Sequence, residues 1–418
     1  MRPLTMLRIS PAVWCGPFLL AVVLMLVRSS LSEVTDVYGP ALTAKGTLAV
    51  LILAPACAAG AAWEGGRLRR AGWMGQPHVR SRLTVALVAV APVLAVGLAV
   101  QAAAVAVPLA ASGAGPDVPL ALLAPGVIAA HTLLGFALGT LLPTAVAAPA
   151  ALLGVYAWMA VPPALEPLWL RHLTGYVDGC CAADEVPAPR ALAGALIVAG
   201  GVAGTAALLL RARPRPAGRL LALLPVALAL AAGASLVRGM GPDPVADRSG
   251  PLACAPGQPR VCMWPEHRAR LAEVAGVAAE AGRAWRQLGI VLPREFSERR
   301  PGRLPPGVVS FGISQTAPRE TVYLELANSL LRASVPACAS GDPEYQGWEA
   351  MDYLTAWLAS AAGLDSEALD HRYGSNPELV RTVRAVRALP AERQRAWAAR
   401  NLAAVRACGV PPRLEPGP

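Results

Sequence analysis

Seven stretches in the first 237 residues are long and apolar enough to cross a lipid bilayer, and no other feature limits this chain as strongly. Crossing about 30 Å of hydrocarbon as a helix takes roughly 17 to 25 mostly apolar residues, because lipid offers an open backbone no hydrogen-bond partner. The stretches are 11–27, 46–62, 83–111, 120–142, 144–161, 191–210 and 220–237. The first runs straight into Arg28 without a small-residue cleavage site, so it reads as a retained helix and not as a signal peptide. The pair meeting at Pro143 is either two full crossings or a re-entrant hairpin.

Arginine placement orients these helices, since basic short loops stay cytoplasmic. Arg2 and Arg8 precede the first stretch, Arg67, Arg69, Arg70, Arg80 and Arg82 follow the second, and Arg211, Arg213, Arg215 and Arg219 follow the sixth. The other side keeps only Arg28, Lys45, Arg171 and Arg190. The amino terminus is therefore expected inside, and everything after the seventh crossing outside. The chain reads as a multi-pass cell-membrane protein with an extracytoplasmic carboxy-terminal domain.

Charge divides the chain in the same place. Residues 1–237 hold 15 basic and 8 acidic residues, whereas the rest holds 22 and 19, a density that suits water. Because the basic excess sits in the apolar half, it serves topology and lipid contact and argues against a nucleic-acid partner. Lys45 stands alone beside 36 arginines, and Ala, Gly and Pro abound, the usage of a GC-rich bacterial genome. The expected organisation is a transmembrane domain over 1–237, a Gly/Pro-rich linker over 238–262 and an extracytoplasmic domain over 263–418. The expected fold class is mainly α: a polytopic helical bundle of six core helices plus a seventh, followed by a mostly helical outer domain.

Cysteine usage agrees with that placement. Cys15 and Cys57 fall in apolar stretches, Cys180 and Cys181 in an outer loop, and Cys254, Cys262, Cys338 and Cys408 in the terminal domain. An even set of four in an oxidising compartment suggests two disulfides, with three possible connectivities. Cys254 with Cys262 and Cys338 with Cys408 is the expected pairing; four free buried thiols is the alternative.

In the terminal domain a helix is expected from Pro265, with apolar positions Leu271, Val274, Ala278, Ala281, Trp285 and Leu288 at helical spacing and Gly289 placed to end it. Residues 308–313 read as a strand, and 321–333, 348–362, 377–388 and 391–407 as helices. No enzyme motif stands out. Lys45 lacks the Gly-rich turn of a phosphate-binding loop, and no HExxH, GxSxG or paired CxxC occurs. Glu266-His267 is half of a zincin motif, but position 271 is Leu, so a solvated first-turn pair is expected even if His371 lies nearby. Asp342, Glu344, Glu349 and Asp352 lack the alternating ligands and Gly of a calcium loop and read as a solvated helix start. No catalytic residue, metal or cofactor is expected in this chain.

Polar residues inside the apolar stretches are few. Gln101 and His131 are the candidates for a pathway, with Thr132, Thr140 and Thr144 near them. Midplane carboxylates, which ion-driven transporters favour, do not occur, which points to an external energy source.

The most informative short stretch is Trp63-Glu64-Gly65-Gly66-Arg67-Leu68-Arg69-Arg70, running through Trp73 and Pro77 to Ser81-Arg82. A topology signal needs basic residues only. This stretch adds a carboxylate at the membrane exit, two glycines permitting a turn, and an amphipathic Arg-Leu-Arg-Arg segment suited to docking on a partner. It resembles the membrane subunits of type-two ATP-binding-cassette exporters, in which an acidic-glycine stretch between the second and third helices rests on the ATPase and a Pro-x-Ser-Arg-like stretch enters the third. Glu64, Gly65, Gly66 and Arg67 match, and Pro77, Ser81 and Arg82 match more loosely. A sizeable outer loop at 163–190 also fits, whereas the seventh helix and the large outer domain depart from the six-helix pattern. Val261-Cys262-Met263-Trp264-Pro265 is similar to the opening of outer domains fused to actinobacterial permease-like proteins. The resemblance implies a permease-like subunit, a homo- or heterodimer of membrane subunits, energised by a separate ATP-binding-cassette ATPase through Glu64, Gly65, Gly66, Arg67, Arg69 and Arg70. The alternative is a membrane-anchored extracytoplasmic sensor or assembly factor without transport.

Overall fold

The apolar stretches become helices. In the computed structural model, which describes residues 11–32, 34, 36–72, 81–177, 179–211, 216–302, 304–340 and 345–416, the first of two units covers residues 1–247 and the second 248–418. The first unit consists of α1 (Pro11–Leu31), α2 (Gly39–Thr47), α3 (Val50–Arg70), α4 (Arg82–Ser112), α5 (Val118–Leu141), α6 (Thr144–Ala160), α7 (Pro189–Arg211), α8 (Pro216–Leu221) and α9 (Leu224–Val237). Among the described residues, seven helical segments are long and apolar enough to cross a membrane, α2–α3 and α8–α9 each counting as one. α5 and α6 are separate members of that set.

Local chemistry sets the helix ends. Ser81 caps α4 by accepting the Thr84 N–H at 3.1 Å, and Gly113, at φ +72°, closes it. Asp117 caps α5 by accepting the Leu120 N–H at 3.0 Å. Between the helices small residues allow backbone contact: a Cβ added at Gly135 or Gly139 on α5 would overlap the carbonyl oxygen of Ala58 or Ala62 on α3.

The second unit is a four-stranded sheet with helices. Its strands are β3 (Ala253–Ala255), β4 (Arg260–Met263), β5 (Glu295–Ser297) and β6 (Val308–Ser310), in that order, and only the β3–β4 pair is antiparallel. A parallel β4–β5 pair needs a crossover, supplied by α10 (Leu271–Gln287) after a 3-10 turn at Pro265–Arg270. Val274, Ala278, Ala281, Trp285 and Leu288 are buried as their spacing predicts, and Gly289, at φ +75°, ends the helix. α11 (Arg319–Arg332), α12 (Gly347–Ala362), α13 (Ser366–Tyr373), α14 (Pro377–Ala388) and α15 (Ala391–Arg406) complete the unit. Trp264, Trp285, Trp357 and Trp397 are fully buried, and each indole N–H has a partner: the Glu298 carbonyl, the Leu358 carbonyl, Gln394 Oε1 and the Leu414 carbonyl.

The stretch 238–262, expected as a Gly/Pro-rich linker, contains short strands. β2 (Val245–Asp247) pairs with β1 (Glu185–Pro187) in the first unit, while β3 and β4 lie in the second. Its Gly and Pro residues punctuate very short strands, which read as linker by composition alone. The structure joins Cys254 to Cys262, which face each other across β3 and β4, and Cys338 to Cys408. It also joins the neighbours Cys180 and Cys181, a pair the sequence reading did not anticipate.

Candidate functional site

The stretch from Trp63 to Arg70 is helix, not loop. α3 continues without a break to Arg70, where Ala71 and Gly72 turn the chain, and Trp73, Pro77 and Arg80 lie outside the described residues. The turn expected at Gly65-Gly66 is absent because these glycines serve packing instead. A Cβ at Gly65 would overlap the Phe136 carbonyl oxygen on α5, and one at Gly66 would overlap Thr144 Oγ1 at the start of α6. Both glycines are buried. The helix end thus rests on the backbone of α5 and on the Thr144 side chain of α6.

The charged residues share this end. Arg67, 41% exposed along its side chain, pairs with Glu64 one turn earlier at 2.9 Å. Arg70 donates to Thr144 Oγ1 and lies over the Trp63 ring, 5.9 Å from its centroid. Arg69 is half-buried, with its Nε enclosed and unpartnered among the described residues. Three arginines in the last turn also complement the negative end of the helix dipole. Arg67, Arg69 and Arg70 therefore share the basic end of α3, with Glu64 paired to Arg67, Gly65 and Gly66 buried against α5 and α6, and an exposed Trp63 beside them.

Gln101 and His131 are buried, and each is held locally. Gln101 Nε2 donates to the Gly46 carbonyl at 3.1 Å, tying α4 to α2, and the His131 ring lies 2.9 Å from the Val127 carbonyl of its own helix. No hydrogen bond links the two among the described residues. Thr132 and Thr140 likewise bond carbonyls of their own helix.

In the second unit the Glu266-His267 pair is not the solvated pair expected. His267 is 3% exposed and its Nδ1 lies 2.7 Å from Glu298 Oε1, while Glu298 Oε2 accepts the Trp264 N–H at 2.7 Å. Glu266 makes a two-pronged ion pair with Arg248, whose guanidinium stacks 4.3 Å from the centroid of Trp264. Glu298, missed in the sequence, is the hub of this cluster; a lone carboxylate after a three-residue strand carries no signal. No metal-holding group of three or more His, Cys, Asp or Glu occurs among the described residues, and His371 sits apart on α13. Of the four acidic residues read as a solvated helix start, Asp342 and Glu344 lie outside the described residues, and Glu349 and Asp352 stand on α12. A cavity of about 510 Å³ between the starts of α11 and α13 is lined by Glu320, Thr321, Asp365, Glu367, His371 and Arg372.

Comparison with known proteins bears on the second unit only. A family described as a domain of unknown function, DUF7224, matches residues 261–408, opening at the Val261-Cys262-Met263-Trp264-Pro265 stretch. No curated protein and no solved structure matches the chain.

Proposed function

We propose that this chain is the permease-like membrane subunit of an ATP-binding-cassette transport system, working as a homo- or heterodimer with a separate ATPase subunit docked on the basic end of α3. The second unit faces the outside in this reading, where its cystine pairs suit the redox conditions. The observation that carries the proposal is the seating of Gly65 and Gly66 on α5 and α6. A load applied to Arg67 and Arg70 by a moving partner passes from α3 into α5 and α6, since Gly65 against the α5 backbone and Gly66 against Thr144 leave little slack for the helix end to swing alone. A loop that merely sets topology has no need of that contact.

The second reading, an anchored sensor or assembly factor, draws on the second unit, which has its own core and a cavity of about 510 Å³ lined by charged and apolar side chains. Co-purification with the ATP-binding-cassette ATPase of the same cell, together with ATPase stimulation in membranes, separates the two. Glu64→Gln and Arg67→Ala should lower one or both values while expression and insertion hold. Unchanged values for both variants would remove the coupling reading and leave the sensor.

A further inference from the structure

Three candidate spans end around a small polar cavity in the first unit. Pro163 closes the fifth, Thr144–Ala164; Arg190 opens the sixth, Pro189–Arg211; and Asp243 stands six residues past Val237, the end of the seventh. The segment after the fifth span and the segment after the seventh are fastened together. β1 pairs with β2, the Ala188 N–H donates to the Pro244 carbonyl at 2.8 Å, and His172 Nε2 donates to the Gly241 carbonyl at 2.9 Å. Between them lies a cavity of about 160 Å³, lined by Pro163, Arg171, His172, Tyr176, Asp243 and Pro244 among others.

Its two charges are uncommitted. Arg171 makes one side-chain hydrogen bond among the described residues, Nη2 to the Pro163 carbonyl at 2.7 Å, which fixes the guanidinium and leaves its other donors open. Asp243 makes neither a hydrogen bond nor an ion pair with any described side chain. A cation and an anion on one cavity wall that do not neutralise each other suit a ligand carrying both opposite charges. Burial, with Arg171 and Arg190 nearby, keeps His172 below its ordinary pKa despite Asp243 and the Gly241 hydrogen bond, so at neutral pH the ring is an uncharged clasp and not a third ligand group. The volume resembles the about 150 Å³ of an engineered cavity that holds benzene, room for roughly six heavy atoms, and the exposed Asp243 leaves it open on one side, where the rest of a larger headgroup can lie.

We propose that this cavity is a binding site for a small zwitterion, its anionic oxygens on Arg171 and its primary ammonium on Asp243. At the ends of three membrane-crossing helices, the source that fits is the headgroup of an aminophospholipid, phosphatidylethanolamine being the simplest; a free amino acid carries the same pair of charges. The site shares no residue with the basic end of α3, so it stands or falls independently of the coupling reading.

The test is lipid binding to the full chain in detergent, read by native mass spectrometry with phosphatidylethanolamine and phosphatidylglycerol of matched acyl chains. Phosphatidylethanolamine should bind about tenfold more tightly, the worth of one charge-assisted hydrogen bond. Asp243→Asn, an exposed position where folding is not at stake, should erase that preference, and Arg171→Gln should weaken both lipids. Displacement by soluble glycerophosphoethanolamine supports the headgroup as source. Displacement by alanine without any lipid preference supports the same site occupied by a free amino acid. Equal retention of both lipids in wild type and Asp243→Asn, with neither soluble compound effective, overturns the proposal.

Discussion

Replacing Glu298 by Ala should unfold the second unit far more readily than its position after a short strand suggests. The carboxylate accepts the Trp264 backbone N–H at 2.7 Å and meets His267 Nδ1 at 2.7 Å, and all three residues are 4% exposed or less. Alanine leaves both groups enclosed without that acceptor. Each stranded buried polar group costs about 1 to 3 kcal/mol, so the pair accounts for roughly 2 to 6 kcal/mol. That is a large part of the 5 to 15 kcal/mol that typically separates a folded domain from its unfolded chain. Glu298→Gln keeps one acceptor oxygen and should lose about half as much. Urea unfolding of residues 248–418, followed by tryptophan fluorescence, reads both values. Losses within about 0.5 kcal/mol for both variants, the range of an ordinary surface change, would refute the role of Glu298 as the hub of the Trp264 and His267 cluster.

Four further outcomes are open to direct measurement. The four cysteines of the second unit should become alkylatable only after reduction, and Cys338→Ser, opening a closure of 70 residues, should cost about 4 kcal/mol against about 2.5 kcal/mol for Cys254→Ser, which opens one of 8. Burial holds Glu325 above the ordinary carboxylate range, despite Arg332 and Arg372, so the folded state binds the extra proton and stability should fall as pH rises past the usual glutamate value. In Glu325→Gln that slope should be shallower; an unchanged slope over pH 4 to 7 in urea titrations would contradict the burial argument. A reporter active only outside the cytoplasm should work when fused after Arg248 and fail near Arg215, which lies outside the described residues; the reverse pattern would invert the arginine-based orientation.

The sequence makes long-range order legible where it repeats and hides it where it does not. Apolar runs of membrane length and the 3, 4, 3, 4, 3 spacing in α10 announce themselves because many residues vote for one period. Strands of three or four residues such as β3, β4 and β5 give no such period, and their flanking glycines and prolines read as linker. Glu298 was invisible because it meets His267 across 31 positions through the sheet order, which no local pattern encodes. Gly65 and Gly66 were misread for a different reason: glycine permits a turn and permits close packing, and only the partner helix decides. A usable signal existed in Gly135-Phe136-Ala137-Leu138-Gly139, a small-residue repeat of four that marks the face of α5 where α3 lies.

The same glycines provide the sharpest separation between docking and transmission. Arginines in the last turn of α3 are favoured by the helix dipole by about 0.3 to 1 kcal/mol each whether or not a partner exists, so their presence alone argues nothing about coupling. An exposed i,i+3 pair such as Glu64 with Arg67 adds only about 0.3 to 0.5 kcal/mol, equally uninformative. The contact at Gly66 is different, because topology does not require it. In Gly66→Ala the new methyl meets Thr144 Oγ1, which must move, and the Arg70 hydrogen bond to that hydroxyl moves with it. Overpacking of this kind costs about 1 to 3 kcal/mol and falls at a buried position, whereas Arg67 is exposed. If the α3 end carries force into α5 and α6, Gly66→Ala, which leaves Arg67 in place but shifts the Thr144 partner of Arg70, should lose far more transport than ATPase capture, whereas Arg67→Ala should lose capture itself. Retained transport in Gly66→Ala would mean that α3 hands nothing to its neighbours, leaving the basic end as a docking or orienting surface only.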